Sequence, residues 1–341
     1  MFNPKYKITD KLLANIKKIG ILTAELNSVK YPRTVLMKLE REARIVSSFA
    51  STSIEGNPLP LTDVKIILKN RPENIRNSEQ EVLNYNEALV WLGNYTSKIK
   101  QAFETDLVFK IHSKVMDKLV SLESLGKFRS DPVFVNDPKI GKTVYWPPDA
   151  KNVGNLMIDL FEFVKTSEST DPLILAGIFH KQFVIIHPFM DGNGRTVRLM
   201  TKVILARMGL DTFSLFSFEN YYNKNVTKYF QMVGEYGNYY DLSGKIDYTV
   251  WLEYFTEGII DELVRVKKEL ELVSLTPEKK LKPFHREIIG YLDKNGFIRD
   301  ADYAGITKRA KATRTLDFKK LQDLGLIKRF GKGRATYYKL I

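Results

Sequence analysis

The chain has 341 residues, 44% of them hydrophobic and 27% charged, with a formal net charge of +13. It is long enough for two or three domains, and its composition excludes an intrinsically disordered chain. It has no cysteine and no apolar run near the roughly 20 residues that cross a bilayer, which excludes disulfides, cysteine nucleophiles and a membrane-spanning class. The charged opening residues lack the apolar segment of a signal peptide, so we expect a cytoplasmic protein without a membrane partner.

The first clear element is a helix predicted over residues 31–55, where apolar residues recur at three-to-four spacing before a Gly-Asn-Pro stop. Glu55 lies in its last turn, where a carboxylate faces the negative end of the helix dipole and loses about 0.3–1 kcal/mol. Ser51 precedes it by one turn, on the same face. We therefore expect Glu55 to pair with a cation.

Further along, residues 132–135 and 143–146 alternate in the manner of strands on either side of a turn rich in Asn, Asp, Pro and Gly. This pattern predicts a β-hairpin, closed by two prolines. On a mainly helical body it would form a small flap.

Three more helices follow in the predicted order: residues 173–186, a helix beginning near Asn193, and a long helix over 249–273. The polar stretch 276–283 is predicted to be a linker. The fold class is therefore mainly α, a helical bundle with a small β-hairpin flap and a separate C-terminal module.

The C-terminal module is strongly basic, with 15 Lys and Arg against 6 Asp and Glu from Leu281 to the end. Two helices, a basic helix from about residue 307 to 324 and two short strands predict a winged-helix domain over 284–341. It could bind DNA or dock a protein partner, because a basic face serves both. The residues expected to contact DNA are Lys308, Arg309, Lys311, Arg314, Lys332 and Arg334.

The most informative string runs from His187 to Arg198, where the chain leaves one helix and enters the next. Two glycines allow a tight turn whose N–H groups point outward, and the new helix adds its N-terminal amides, so the loop suits phosphate. Arg195 and Arg198 lie on one face of the helix and provide two positively charged guanidinium groups. Asp191 offers the single carboxylate with which Mg²⁺ is often held beside phosphates, and His187 has a pKa suited to accepting a proton.

This string, HPFMDGNGRTVR, resembles the Fic family signature HxFx(D/E)GNGRxxR and matches it at every specified position. The resemblance extends over roughly residues 30–260, including Gly126 to Arg129 before the hairpin and the pattern around His112. It implies a protein adenylyltransferase, an enzyme that transfers AMP from ATP to a Ser, Thr or Tyr hydroxyl of a protein.

The resemblance also implies residue roles. His187 would be the general base, and Asp191 would hold Mg²⁺. The nucleotide-binding residues would be Phe189, Asp191, Gly192, Asn193, Gly194, Arg195 and Arg198, with Tyr229 against the adenine. Because phosphorylating relatives carry lysine at the second glycine, Gly194 favours AMP transfer over phosphate transfer.

Two further parts of the resemblance lie outside this string. Ser51 to Gly56 matches the inhibitory motif (S/T)xxxE(G/N), which implies that Ser51, Glu55 and Gly56 form a switch in which Glu55 pairs with Arg198. The hairpin matches the flap that clamps target peptides. The flap residues would be Lys142, Thr143, Val144 and Tyr145.

Several alternatives stay open. The chain could be a DNA-binding regulator whose core senses a nucleotide, or an enzyme that mainly removes AMP. Metal-dependent hydrolysis by His180 and His187 is disfavoured, because it leaves the glycine-rich loop unexplained. The sequence leaves the oligomeric state open, a homodimer included.

The predicted domains are a helical region at 1–100 with the inhibitory helix, a catalytic core with trailing helices at 101–275, the linker at 276–283 and the winged helix at 284–341.

Overall fold

The computed structural model describes residues 2–31, 33–96, 103–137, 141–167, 169–210, 212–275 and 281–340. Their contacts form two compact units. The first comprises Met1–Ser28 and Ala43–Arg265, and the second comprises Val29–Glu42 and Val266–Ile341. In these described ranges, no helix has the length and apolar character needed to span a membrane.

The first unit is built almost wholly of helices, as the sequence predicted. Two of them, α2 and α12, also contribute residues to the second unit. The helices are α1 (Asp10–Asn27), α2 (Arg33–Ile54), α3 (Leu61–Lys69), α4 (Asn77–Thr96), α5 (Thr105–Val115), α6 (Ala150–Thr166), α7 (Pro172–Ile186), α8 (Asn193–Leu205), α9 (Glu219–Asn223), α10 (Val226–Val233), α11 (Tyr239–Leu242) and α12 (Thr249–Leu275).

Helix α7 is the centre of this unit. Asp171 caps it by accepting a hydrogen bond from the N–H of Leu173, and Pro172 occupies the first turn, where no N–H is needed. Almost every residue along it is buried, as expected of a helix that is apolar on all sides. It packs beside α8, so the loop that joins the two helices is held between two buried elements.

The predicted hairpin is present, as strands β1 (Val135–Asp137) and β2 (Lys142–Trp146) in antiparallel pairing. The first strand begins at Val135, later than predicted, and residues 138–140 of the turn lie outside the described residues. A short third strand, β3 (Gly237–Asn238), pairs with β2 in parallel. The flap is thereby tied to the chain that leads into α11.

The second unit contains α13 (Pro283–Asn295), α14 (Asp300–Ile306), α15 (Lys311–Asp323) and the antiparallel strands β4 (Ile327–Phe330) and β5 (Tyr337–Leu340). Ile298 adds a bridge to Tyr338. A buried apolar core joins these elements, and Leu281, within the predicted linker, belongs to it. The element order is the one the sequence predicted, and the winged-helix assignment stays a prediction, as do the bounds of the four predicted segments.

The basic helix begins later than predicted. Thr307 and Ala310 both have extended backbones, so α15 starts at Lys311 rather than near residue 307. Lys308 and Arg309 therefore precede the helix instead of forming its first turn.

Candidate active site

The loop between α7 and α8 begins with an unfavourable backbone conformation, and side-chain hydrogen bonds hold its middle in place. His187 ends α7 in the left-handed conformation with φ 52°, which is uncommon for a residue other than glycine, and Gly192 follows with φ 77°. The Asn193 amide donates to the Phe189 carbonyl and accepts from the Phe189 N–H, both at 2.9 Å. Asn193 thus holds the loop in shape, while the amides at the start of α8 remain directed out of the helix.

The imidazole of His187 is oriented by a single backbone contact. Its Nδ1 lies 3.3 Å from the carbonyl oxygen of Val184. Because a carbonyl can only accept, Nδ1 carries the proton and Nε2 keeps the lone pair. Burial lowers the pKa of His187 to about 4, so the ring is neutral near pH 7 and Nε2 can accept a proton.

Arg195 and Arg198 are both buried at the start of α8. The guanidinium of Arg195 lies 3.2 Å from carboxylate oxygens of Asp191 and of Glu81. Arg198 is fully buried, and burial lowers its pKa, but Glu55 together with Tyr229 and Tyr85 outweighs burial, so the pKa is raised. Arg195 Nε and Arg198 Nη1 are buried without a well-formed hydrogen bond to the described residues, so both can still bind an anion.

The end of α2 lies directly against these groups. Arg198 Nε donates to the Ser51 hydroxyl and Nη2 to the Ser51 carbonyl, both at 2.8 Å, and Nη2 lies 2.7 Å from Glu55 Oε1. Gly56 turns the chain away with φ 91°. The ion pair between Glu55 and Arg198 that the sequence predicted is therefore present.

Gly194 explains how the carboxylate can come so close. A Cβ built at this position would lie 2.1 Å from Glu55 Oε1 and 3.0 Å from Arg198 Nη1. The Glu55 carboxylate therefore rests against the first turn of α8, the place where a helix N-terminus attracts an anion. Only a residue without a side chain permits this approach.

A second carboxylate, which the sequence analysis missed, holds the other arginine. Glu81 on α4 contacts Arg195 and also accepts a hydrogen bond of 2.7 Å from the amide of Asn57, the residue after Gly56. The turn that ends α2 is thus connected to both arginines. No local pattern could have indicated Glu81, because the contact joins helices that are distant in sequence.

His112 supports the loop from behind. Its ring stacks on Phe189 with centroids 3.8 Å apart, Nδ1 accepts from the Gly126 N–H at 3.0 Å, and Nε2 donates to the Asp191 carbonyl at 3.1 Å. Burial lowers the pKa of His112 to about 4, so the ring stays neutral. Phe189, predicted to bind the nucleotide, is fully buried by this stacking and shapes the loop.

Tyr229, which was predicted to contact the adenine, and His180 are both buried in the core. The Tyr229 hydroxyl pairs with His180 Nε2 at 2.9 Å, and its ring packs on Tyr222 and Trp251. His180 also contacts the Thr201 hydroxyl at 2.9 Å, deep in the core. In this conformation Tyr229 is buried and presents no open face to an adenine. Its role in adenine binding stays a prediction.

The flap residues divide into two groups. Tyr145 is buried, and its hydroxyl donates to the Ile185 carbonyl at 2.9 Å, which anchors β2 to α7. Lys142 is exposed, and Thr143 and Val144 are half-buried. Tyr145 therefore fixes the flap, and its neighbours are the ones a peptide could reach.

In the second unit, two of the predicted DNA-contacting arginines have internal partners. Arg309 pairs with Asp317 at 2.7 Å and lies 3.5 Å over the ring of Phe284, and Arg314 pairs with Asp300 at 2.8 Å. Lys308, Lys311 and Lys332 are exposed, and the side chain of Arg334 lies outside the described residues.

A metal cage of protein side chains is not found in the described ranges: no three His, Asp or Glu side chains cluster to hold an ion. The exposed carboxylate of Asp191 nevertheless suits Mg²⁺, which in nucleotide sites takes one or two protein oxygens and completes its shell with phosphates and water.

Comparison with protein families distinguishes between the interpretations of this loop that the sequence left open. Residues 102–205, which include His187, Gly192 and both arginines, match the Fic/DOC family. The chain carries a Fic domain. The match covers α5, the flap, and helices α6 to α8, so every element that positions His187 belongs to the Fic domain.

The chain is also similar to proteins named protein adenylyltransferase. A protein adenylyltransferase Fic of Nematostella vectensis is 29% identical over 211 residues, which are 60% of this chain and 47% of the relative. One of Aedes aegypti is 30% identical over 190 residues, 54% of this chain and 36% of the relative. The chain spans less than half the length of these relatives.

Solved structures share the fold at lower identity. A Fic family protein from Desulfovibrio desulfuricans G20 superposes with a TM-score of 0.65 at 21% identity, covering 100% of this chain and 98% of the other. A Caenorhabditis elegans Fic-1 fragment gives 0.60 at 21% identity, covering 77% and 73%. The mainly helical Fic fold predicted from the sequence is confirmed.

Proposed function

We propose that the Fic domain transfers AMP from ATP to a hydroxyl group of a protein substrate, and that Glu55 restrains this activity. The observation that carries the proposal is the His187 ring, whose Nδ1 contact leaves the Nε2 lone pair to accept a proton, at the start of the loop that leads to two buried arginines with unused donors. The relatives named protein adenylyltransferase support the same chemistry.

In the reaction, the target hydroxyl oxygen attacks the α-phosphorus of ATP as His187 Nε2 takes its proton. The new bond joins that oxygen to phosphorus, the bond between the α-phosphorus and its bridging oxygen breaks, and pyrophosphate leaves. Arg195 and Arg198 bind the departing phosphates, where fixed positive groups in a buried site lower the barrier most. The amides of α8 add the anion cradle.

Mg²⁺ would be held by Asp191 and would offset the charge of the ATP phosphates. Asp191 follows Met190 on the exposed side of the loop, and its carboxylate is 62% exposed. Besides holding the ion, Asp191 contacts Arg195, so it also orients that arginine.

Glu55 competes for the same positive groups. Its carboxylate contacts Arg198 and lies against Gly194, where a terminal phosphate would sit, and two anions cannot share that position. ATP could still bind with its phosphates displaced, so the α-phosphorus would be out of line with the attacking hydroxyl. The restraint and the catalytic loop are thus coupled through Arg198.

The decisive experiment uses ATP labelled at the α- or the γ-phosphate. We expect Glu55→Gly to raise incorporation of the α-label into the protein itself at least about tenfold, and His187→Ala in that background to lower it by about 10²–10⁴. The γ-label should not be incorporated. The Glu55→Gln variant is the matched control, because it keeps the length of the side chain and removes its charge.

Incorporation of the γ-label would replace AMP transfer by phosphate transfer. No incorporation of either label in the Glu55→Gly variant, with ATP bound, would favour a nucleotide-sensing regulator. Release of AMP from a pre-modified protein that depends on Glu55 would favour the AMP-removing alternative. The cytoplasmic location, the DNA or protein partner of the second unit and the homodimer stay predictions.

A further inference from the structure

Arg129 is a buried cation whose hydrogen bonds go to backbone carbonyls. It is 4% exposed and comes just before the flap. Its Nε donates to the His187 carbonyl at 2.8 Å, Nη2 to the Pro148 carbonyl at 2.5 Å, and Nη1 to the Asp131 carbonyl at 3.1 Å. Its backbone N–H donates to the Pro188 carbonyl at 2.9 Å.

The carbonyls of His187 and Pro188 belong to a segment that cannot satisfy them by itself. His187 ends α7 in the left-handed conformation, and the next residue is a proline, so the helix cannot continue and its last carbonyls have no helical N–H to accept from. A left-handed residue with a Cβ is typically disfavoured and persists only where its surroundings hold it. The carbonyls of both His187 and Pro188 are held by Arg129.

We propose that Arg129 is a positioning residue, whose guanidinium holds the backbone of His187 so that the imidazole presents Nε2 to the target hydroxyl. This inference deepens the proposed AMP transfer and rests on it for its catalytic meaning. Arg129 touches neither substrate nor the proton that moves. It also links the catalytic histidine to Pro148 at the end of the flap, so the two parts of the site share one anchor.

Charge and shape both argue for arginine at this place. A planar guanidinium can donate in several fixed directions at once, whereas a lysine ammonium is a single point donor. Burial of the site lowers the pKa of His187, and the nearby positive charge of Arg129 adds to that effect. Loss of the guanidinium would therefore change both where the ring points and how readily it accepts a proton.

The test follows the histidine itself by ¹⁵N NMR of ring nitrogens in the full chain, which has only four histidines. In the unmodified protein, we expect His187 to be neutral at pH 6 with its proton on Nδ1. In Arg129→Lys and Arg129→Met, we expect a mixture of His187 tautomers, and in Arg129→Met, which also removes the positive charge, we expect a higher pKa for His187. The His180 signals should be unchanged in both variants. Arg71→Met, which removes an exposed arginine of the same unit, is the control and should change none of these signals.

In the Glu55→Gly background, both Arg129 variants should lower kcat for AMP transfer by about 10–100-fold and leave the KM for ATP within about twofold, because misplacing a catalytic group by about 1 Å costs rates of that order. An unmodified protein with the proton on Nε2 would overturn the proposal without any variant. So would a His187 tautomer that stays the same in both Arg129→Lys and Arg129→Met. Because the NMR readout needs no turnover, a protein that transfers no AMP would refute the proposed function and leave this inference to be judged on the ring signals.

Discussion

Because Gly194 has no side chain, the Glu55 carboxylate can lie against the first turn of α8, as the proposed restraint requires. The atom that a Cβ would meet at 2.1 Å is the far end of the Glu55 side chain, which can swing away more easily than the backbone of α8 can shift. A methyl group here should therefore displace the Glu55 carboxylate before it disturbs the helix.

We predict that Gly194→Ala separates Glu55 from Arg198 and leaves a buried guanidinium without its carboxylate. The cost should be about 1–3 kcal/mol in the free energy of unfolding. In a Glu55→Gly background the same substitution should cost much less, since the atom it displaces is gone. Urea unfolding of the four proteins in this cycle measures the coupling, and equal costs in both backgrounds would contradict the prediction.

The residues with suitable chemistry were the part of the site that could be predicted best from the sequence. The roles proposed for His187, Arg198 and Glu55 depend on residue type and on spacing within two short segments, and the sequence displays both. Asn193 and Phe189 were predicted to bind the nucleotide, but their side chains are used to brace the loop. Which side a polar or aromatic group faces depends on packing, which a short motif does not contain.

At the scale of elements, the seam between α2 and α8 extends beyond the proposed restraint. Ser47 lies one turn before Ser51, and Lys202 lies one turn after Arg198. Lys202 Nζ donates to the Ser47 hydroxyl at 3.3 Å, and this hydroxyl donates to Glu219 at 3.2 Å, so the two helices meet at a second level. Lys202 Nζ is 3.2 Å from the carboxylate of the fully buried Glu219, which also accepts from the Tyr85 hydroxyl at 2.8 Å. This network ties α2, α4, α8 and α9 together.

Removing the cation from this network should be costly. We expect Lys202→Met to lower the free energy of unfolding by about 3–5 kcal/mol, because Glu219 is left buried and charged without its partner. Adding Glu219→Gln should restore most of the loss, since a neutral amide can still bond to Ser47 and Tyr85. Urea unfolding followed by tryptophan fluorescence is the measurement. A double variant as unstable as the single one would show that the charge is not the cause.

Elements and their boundaries were predicted where hydrophobic periodicity is strong. Helix α7 begins and ends close to the predicted residues, and α8 begins at the predicted residue, because a buried helix and a glycine-rich loop leave clear patterns. The start of α15 was wrong, since Lys308 and Arg309 continue the basic composition of the helix while the backbone at Thr307 and Ala310 is extended. The contacts of Glu81 and Lys202 join helices that are distant in sequence and leave no local pattern.

At the scale of the whole molecule, the histidines are distributed unevenly between the two units, and so is the pH dependence of stability. The pKa values of His112 and His187 are lowered to about 4 and that of His180 lies well below its usual value, in each case first because of burial. These three belong to the first unit, and His285 belongs to the second. In the unfolded chain each histidine takes a proton near pH 6.5.

The first unit should therefore lose stability as the pH falls from about 6.5 towards 4, because the unfolded state binds protons that the folded state excludes. Each histidine contributes up to about 1.4 kcal/mol per pH unit in this window, and the contribution vanishes above about pH 7, where both states are neutral. All three tryptophans, Trp91, Trp146 and Trp251, lie in the first unit, so their fluorescence follows its unfolding alone.

We predict that His112→Gln lowers the slope of unfolding free energy against pH by about 1.4 kcal/mol per unit between pH 6 and 5, the effect of one proton fewer taken up on unfolding. His285→Gln, which changes the second unit, should leave this fluorescence-detected slope unchanged. The sign follows from the lowered pKa: a folded state that kept His112 protonated would gain stability on acidification. A slope that is the same in His112→Gln and the unmodified protein would mean that His112 titrates alike in the folded and unfolded chains, and its support of the Asp191 loop as a neutral donor would then be wrong.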